Sequence, residues 1–197
     1  YNGLLAAHGQ EAAAVAAALD AVARRRDWRV LRLSGIAPDS PLLGLPARRK
    51  LRVDAAPVYQ VDLDAVRAAD GDYLSLLSSN TRSQIRRAMK DHGGPLPDVT
   101  VGTLDDIAPW LDEMAALNMG RHADNAWDDQ GFRQFVATIA ARGLPSGAVE
   151  LLRFADAGGA VGLLVNFVQD GQAMNYQSAF AQPRTAKDKP GLLCHAA

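Results

Sequence analysis

The sequence predicts an α/β (α+β) fold, a mixed and mostly antiparallel sheet flanked by helices, and three observations carry that expectation. Val149–Ala155, Ala160–Val168 and Gln172–Phe180 are strand-length, mostly apolar runs separated at Gly158-Gly159 and Asp170-Gly171, which are short-hairpin signals. Ahead of them stand two stretches with helical periodicity, 107–122 and 128–142. After them a loop carrying Arg184, Lys187 and Lys189 against Asp188 leads into Pro190-Gly191, and Pro is favoured at the first position of a helix.

Taken in order, 1–9 reads as the tail of a strand or loop. Gln10–Arg26 is Ala-rich and ends in Arg24, Arg25 and Arg26, which complement the negative end of a helix dipole, so it reads as a helix and those arginines need no site. Trp28–Leu33 and Val58–Leu63 alternate with period two and predict strands. Between them Pro38, Pro41 and Pro46 mark a loop, followed by a basic cluster at Arg48, Arg49, Lys50 and Arg52 that reads as a solvated face. From Asp70 to Gly94 the apolar spacing predicts two helical stretches, with Ser78–Asn80 as a break or cap between them. Arg82, Arg86, Arg87 and Lys90 give the second of these a basic side.

Val99–Thr103 is short and β-branched, hence a strand, and Thr103 or Asp105 is placed to cap the helix that follows. Phe132, Phe135, Val136 and Ile139 form the apolar stripe of the next helix, which Gly143 stops. The intervening RHADNAWDD offers His122, Asp124, Asp128 and Asp129, but at no metal-ligand spacing, so it reads as a loop and no metal is expected. In the final strand Met174, Tyr176, Ser178 and Phe180 alternate with Asn175, Gln177 and Ala179, which predicts one greasy face and one carrying amides.

Charge and cysteine usage limit the partners. Lys+Arg 21 against Asp+Glu 22 leaves a net charge of -1, so no overall basic field argues for nucleic acid, and DNA is not expected. The single cysteine, Cys194, excludes an internal disulfide framework and a cysteine-built zinc site and suits a reducing, cytoplasmic compartment. No apolar run reaches membrane-spanning length, and the Ala-rich segment lacks the order of a signal peptide. A start at Tyr1 and a stop at Ala197, where a helix has just begun, read as a fragment cut at both ends.

The succession strand, helix, helix, three strands, basic loop, Pro-Gly helix resembles the opening half of the GCN5-related N-acetyltransferase (GNAT) fold. Upstream, YQVDL followed by NTRSQIRRAMKDHG is similar to the strand-then-basic-helix joint of the FemAB-like and cellulose-biosynthesis-type branch, which carries two such halves in tandem; Asn175-Tyr176 ahead of Pro190-Gly191-Leu192 matches the same branch. The resemblance covers roughly 54–197 in element order. It implies that 1–70 closes a first half and that 71–197 opens the acyltransferase domain.

What it implies chemically is acyl-CoA-dependent N-acyltransfer, with acetyl-CoA or another acyl-CoA as co-substrate and an amine, on a small molecule, a sugar or a cell-envelope polysaccharide precursor, as acceptor. Phe180, Lys187, Lys189, Pro190, Gly191 and Leu192 would hold the donor, since Gly191 permits close backbone approach, helix-start amides meet phosphate oxygens and the lysines add positive charge. Tyr176 and Glu150 are the candidate catalytic groups, the latter as a base acting through water, because Asn175 and Gln177 cannot act as bases. Arg121, Trp127, Asn175 and Gln177 would line the acceptor side. Cys194 and His195 point apart as helical neighbours and read as packing residues. Two alternatives remain open: a FemAB-like transferase using aminoacyl-tRNA, whose RNA would lie along 82–90 and 184–189, and a non-catalytic module of the same fold.

Overall fold

The computed structural model describes residues 6–44, 52–121 and 123–197. Most of the expected tail at 1–9, three of the four basic residues at 48–52 and His122 lie outside the described residues. The chain divides into two compact units, Tyr1–Gln60 and Val61–Ala197.

In the first unit, α1 (Glu11–Arg24) stops where Arg25 turns extended, its N–H donating to Val22 O; a one-turn α2 spans Pro41–Gly44. The expected strand at Trp28–Leu33 is not formed: the segment is irregular, with Val30 69% and Leu33 52% exposed. Alternation describes a strand only where a neighbouring strand accepts its ladder bonds, and none does so here among the described residues. Val58–Leu63 fails as a strand for a local reason too. Asp62 folds back to accept hydrogen bonds from the Asp64 and Ala65 amides, capping α3 (Leu63–Ala68) and turning the end of the run into a helix start.

The second unit follows the expected order closely. A 3-10 turn at Tyr73–Leu76 precedes α4 (Ser79–Asp91), whose cap is Ser78, accepting from the Thr81 amide. β1 (Asp98–Val101) leads to a turn in which the Thr103 N–H and hydroxyl both donate to Asp106 Oδ2, and then to α5 (Ile107–Asn118). Asp129, accepting from Phe132 N, caps α6 (Gln130–Gly143). β2 (Val149–Asp156), β3 (Gly159–Gln169) and β4 (Gln172–Phe180) form the meander, and α7 (Pro190–Ala196) follows. The sheet has order β1-β2-β3-β4 and is antiparallel throughout.

Both faces of the sheet are covered. Val149, Leu151, Leu163, Val165 and Ala179 pack against Leu111, Met114, Val136 and Ala140 of α5 and α6. Phe154, Val161 and Leu164 pack on the other side with Ile85 and Ala88 of α4 and Leu193 and Cys194 of α7. Each large apolar side chain buried in these layers contributes about 1.5–3 kcal/mol relative to exposure. A two-point ion pair, Arg153 Nε to Glu113 Oε2 at 2.7 Å and Nη2 to Oε1 at 3.0 Å, ties β2 to α5 at the edge of the first layer.

Candidate functional site

The site begins with a defect in β4. Its pairing with β3 shifts between Val165 and Asn166: Val165 faces Gln177, while Asn166 faces Asn175. Tyr176 is therefore the extra residue of a β-bulge, which takes its backbone out of the regular ladder. The bulge also reverses the alternation of the strand, so the expected amide face is not formed. Gln177 stands opposite Val165 on the α5–α6 side, whereas Asn175 joins Ser178 and Phe180 on the side of α4 and α7.

Pairing across three strands then sets Glu150, Asn166 and Asn175 in one row on the α4–α7 face, just beyond its apolar part. Asn175 Nδ2 donates to Asn166 Oδ1 at 3.1 Å and to the Gln177 carbonyl at 3.1 Å, and Asn166 is 8% exposed. Tyr176 turns the other way. Its ring lies 4.9 Å from that of Phe167, which packs on the α5–α6 layer. The two candidate catalytic groups, Glu150 and Tyr176, thus stand on opposite faces and are not brought together.

The two side chains expected on the acceptor side from the α5–α6 connection serve the scaffold instead. Arg121 Nη2 donates to the carbonyls of Phe180 and Ala181, pinning the exit of β4. Trp127 is 2% exposed, edge-on to Phe132 at 5.4 Å inside the α5–α6 layer. Around it the loop residues work as caps: Asn125 Oδ1 accepts from Trp127 N, and Asn125 Nδ2 donates to Asp128 Oδ1. Among the described residues no group of side chains is arranged to hold a metal.

Beyond β4 the loop 181–189 carries Lys187 and Lys189 exposed and brings the chain to buried Pro190. Phe180 seats the start of α7, its ring carbons 3.2–3.5 Å from where a side chain on Gly191 would begin. One expected donor is already engaged. The Leu192 N–H gives its hydrogen bond to Lys189 O at 2.9 Å, which leaves Gly191 as the first-turn amide with no such bond among the described ones. Cys194 is buried, and burial pushes its thiol up to about 12, whereas His195 is exposed on the surface of α7.

Cations from two distant stretches meet here. An open cleft of about 430 Å³ is lined by Arg87, Lys90 and Asp91 of α4 and by Thr185, Ala186 and Lys187 of the loop. A second, of about 420 Å³, along Ser79, Arg82 and Arg86, shares Arg87 and Lys90 with it. Arg82 leans on the Leu74 and Ser75 carbonyls, and no carboxylate pairs with any cation of this face among the described residues.

Holding that loop is a cluster that no sequence motif announces. His92, just past the end of α4, has Nδ1 2.7 Å from Asp156 Oδ2, and Nε2 3.1 Å from each oxygen of Asp188. Arg184 Nη2 reaches both Asp156 oxygens, at 2.9 and 2.7 Å. Burial pushes the Asp156 carboxyl up, but hydrogen bonds from Arg184, His92 and the Gly158 N–H, with the Arg184 charge, outweigh it and hold the group below the usual carboxylate range. In the sequence His92 reads as a helix end and Asp188 as a counter-charge in a basic loop. Only Asn166 carries a signal, as the lone amide in an otherwise apolar LLVNFV run.

The family model described as an acetyltransferase (GNAT) domain matches residues 79–197 of the chain. That span starts at the first residue of α4 and takes in the whole sheet, the cation cleft and α7. Neither the curated proteins nor the solved structures give a match.

Proposed function

The chain belongs to the acetyltransferase (GNAT) domain family, and from that premise we propose that it is an acyl-CoA-dependent N-acyltransferase acting on an amine of a small-molecule or sugar acceptor. The observation that carries this reading is the corner where bulged β4 runs through a cation-bearing loop into Pro190-Gly191. A thioester donor ending in a nucleotide brings two requirements, a grip for its phosphates and a fixed place for its carbonyl.

The residues at the corner fit the first. Lys187 and Lys189 are free in solvent, the Gly191 N–H is not taken up by the first turn of α7, and the ring of Phe180 backs the helix start in the room that Gly191 leaves. Leu192 contributes its side chain to the apolar layer under the corner rather than an amide. For the second, the bulge frees backbone at Tyr176 from the ladder, supplying a main-chain N–H where negative charge on the thioester oxygen has to be met.

The acceptor amine must arrive neutral. Glu150 is the carboxylate in the same cross-strand row as Asn166 and Asn175, so it is assigned as the base, with Asn175 orienting the acceptor. The thioester supplies the activated acyl group; the chain binds it, orients it and removes a proton. Arg121 and Trp127 act only by fixing the end of β4 and the α5–α6 layer.

Calorimetric titration of the 197-residue chain with acetyl-CoA, followed by thiol release with a panel of amines, tests the reading. Saturable binding and amine-dependent release are expected, with Glu150→Gln slowing release by about 10²–10⁴-fold while binding persists. Absence of binding would sink it; binding without release by any amine would leave a non-catalytic module of the same fold.

A further inference from the structure

Among the contacts that hold the 181–189 loop, the most buried run through one histidine. The side chain of His92 is 2% exposed, and its two carboxylate partners are 8% (Asp156) and 0% (Asp188) exposed. A neutral imidazole has one donor and one acceptor nitrogen, and a carboxylate accepts only. With both carboxylates ionised, serving Asp156 through Nδ1 and Asp188 through Nε2 takes a ring with both nitrogens protonated. The geometry agrees, because Nε2 stands at the same 3.1 Å from both Asp188 oxygens, the position of a donor shared between two acceptors. Charge balance agrees as well. With the ring as imidazolium, His92 and Arg184 stand against Asp156 and Asp188 as a closed quartet, whereas a neutral ring beside an ionised Asp188 leaves that buried carboxylate with no counter-charge.

The quartet joins three parts of the fold: the end of α4, the end of β2 and the loop between β4 and α7. Asp188 also accepts the Arg184 N–H at 2.8 Å, so the carboxylate closes the loop on itself. Thr185 Oγ1 adds a bond to Asp91 Oδ2 at 3.0 Å, and Arg184 Nη1 approaches the Asp91 carbonyl at 3.4 Å. Among the described residues, Asp91, Asp156, Arg184 and Asp188 are the charged groups bonded to the ring, to its partners or to the loop they hold. Lys187 and Lys189 flank Asp188 in the chain, so where the carboxylate goes, they go.

We propose that His92, held as an imidazolium between Asp156 and Asp188, is a positioning residue that fixes the 184–189 loop in the form that receives the phosphates of the acyl donor. The inference rests on the acyl-CoA reading above. His92 touches neither donor nor acceptor; it sets where Lys187, Lys189 and the Pro190-Gly191 start stand when the donor arrives.

Two measurements test it. On the uncomplexed chain, long-range 1H–15N correlation of the imidazole resonances is expected to show both His92 nitrogens protonated at neutral pH; one nitrogen seen as a bare acceptor overturns the inference and needs no variant to fold. With His92→Gln, which keeps one donor but no charge, acetyl-CoA dissociation constant and KM are expected to rise about tenfold, with the loss carried by KM rather than kcat. A folded His92→Gln that binds acetyl-CoA as the wild type does overturns this inference and leaves the acyl-CoA reading standing. A wild-type chain that fails to bind acetyl-CoA overturns that reading and this one with it.

Discussion

Asn166 and Asn175 face each other across β3 and β4, joined by a 3.1 Å hydrogen bond from Asn175 Nδ2 to Asn166 Oδ1. The acceptor is buried and the donor is exposed, so the two sides of this bond differ in value. Asn175→Ala strands a buried amide oxygen and is expected to cost about 1–3 kcal/mol, whereas the exposed amide left by Asn166→Ala can turn to water. Urea unfolding of both single variants and the double variant measures this. The double variant should be less destabilised than the sum of the singles, and full additivity would show that the pair is not coupled.

The meander, both flanking helices, the Ser78 cap and the Pro190 start are readable in the sequence because each is decided locally, by period, turn dipeptide or cap. Three features are not. Trp28–Leu33 has the alternation of a strand but lacks a partner, and alternation cannot report a partner. The bulge at Tyr176 adds no residue type of its own, yet it decides which face Asn175 and Gln177 share. The His92 quartet is assembled from positions 64 and 96 residues apart, beyond any local pattern. Arg121 and Trp127 mislead for a related reason: position in a loop says nothing of burial, and here both look inward.

Acid should loosen the corner in a predictable window. Asp156 has a folded value held below its ordinary 3.8, so it binds protons less readily in the native state than when unfolded. Its contribution is fully present above about pH 4, falls as pH drops toward the depressed folded value, and is gone below it. Asp156→Asn is expected to be less stable than wild type at neutral pH, with the gap closing as the wild type loses its share in acid. Thermal unfolding of the two chains between neutral pH and pH 2 tests this, and a gap that stays constant over that range would contradict it.

Gly162 is where β3 meets the helix start. A methyl group there would lie 2.7 Å from Phe180 Cδ1, 2.8 Å from Cys194 Sγ and 2.9 Å from the Ala179 carbonyl oxygen. The carbonyl belongs to the paired strand and the sulfur to a buried helix face, so neither can swing aside. Gly162→Ala is expected to destabilise by about 1–3 kcal/mol and, by pushing Phe180 off Gly191, to weaken acetyl-CoA binding as well. Denaturant unfolding and calorimetry on the same variant separate the two losses.

Cys194 is 2% exposed and its thiol is pushed up to about 12 by burial, so almost no thiolate exists at neutral pH and no reagent reaches it. Aromatic disulfide reagents should leave the native chain unmodified and label it in step with urea unfolding. Labelling of one thiol under native conditions would mean that α7 detaches from the sheet on the timescale of the reaction.

The cleft formed by Arg87, Lys90 and Lys187 makes the phosphate reading testable through salt. These are exposed cations, so their effect on a phosphorylated ligand is screened at separations beyond a Debye length, about 8 Å at physiological ionic strength. Lys187→Glu and Arg87→Glu are each expected to raise the acetyl-CoA dissociation constant about tenfold at low salt, with the difference from wild type shrinking in high salt. Arg142→Glu, a reversal of the same size in the last turn of α6 on the far side of the sheet, should leave binding unchanged. Equal effects from Arg142 and Lys187 would mean that net charge alone governs affinity; a loss confined to Lys187 and Arg87 puts the donor's phosphates in the cleft between α4 and the loop.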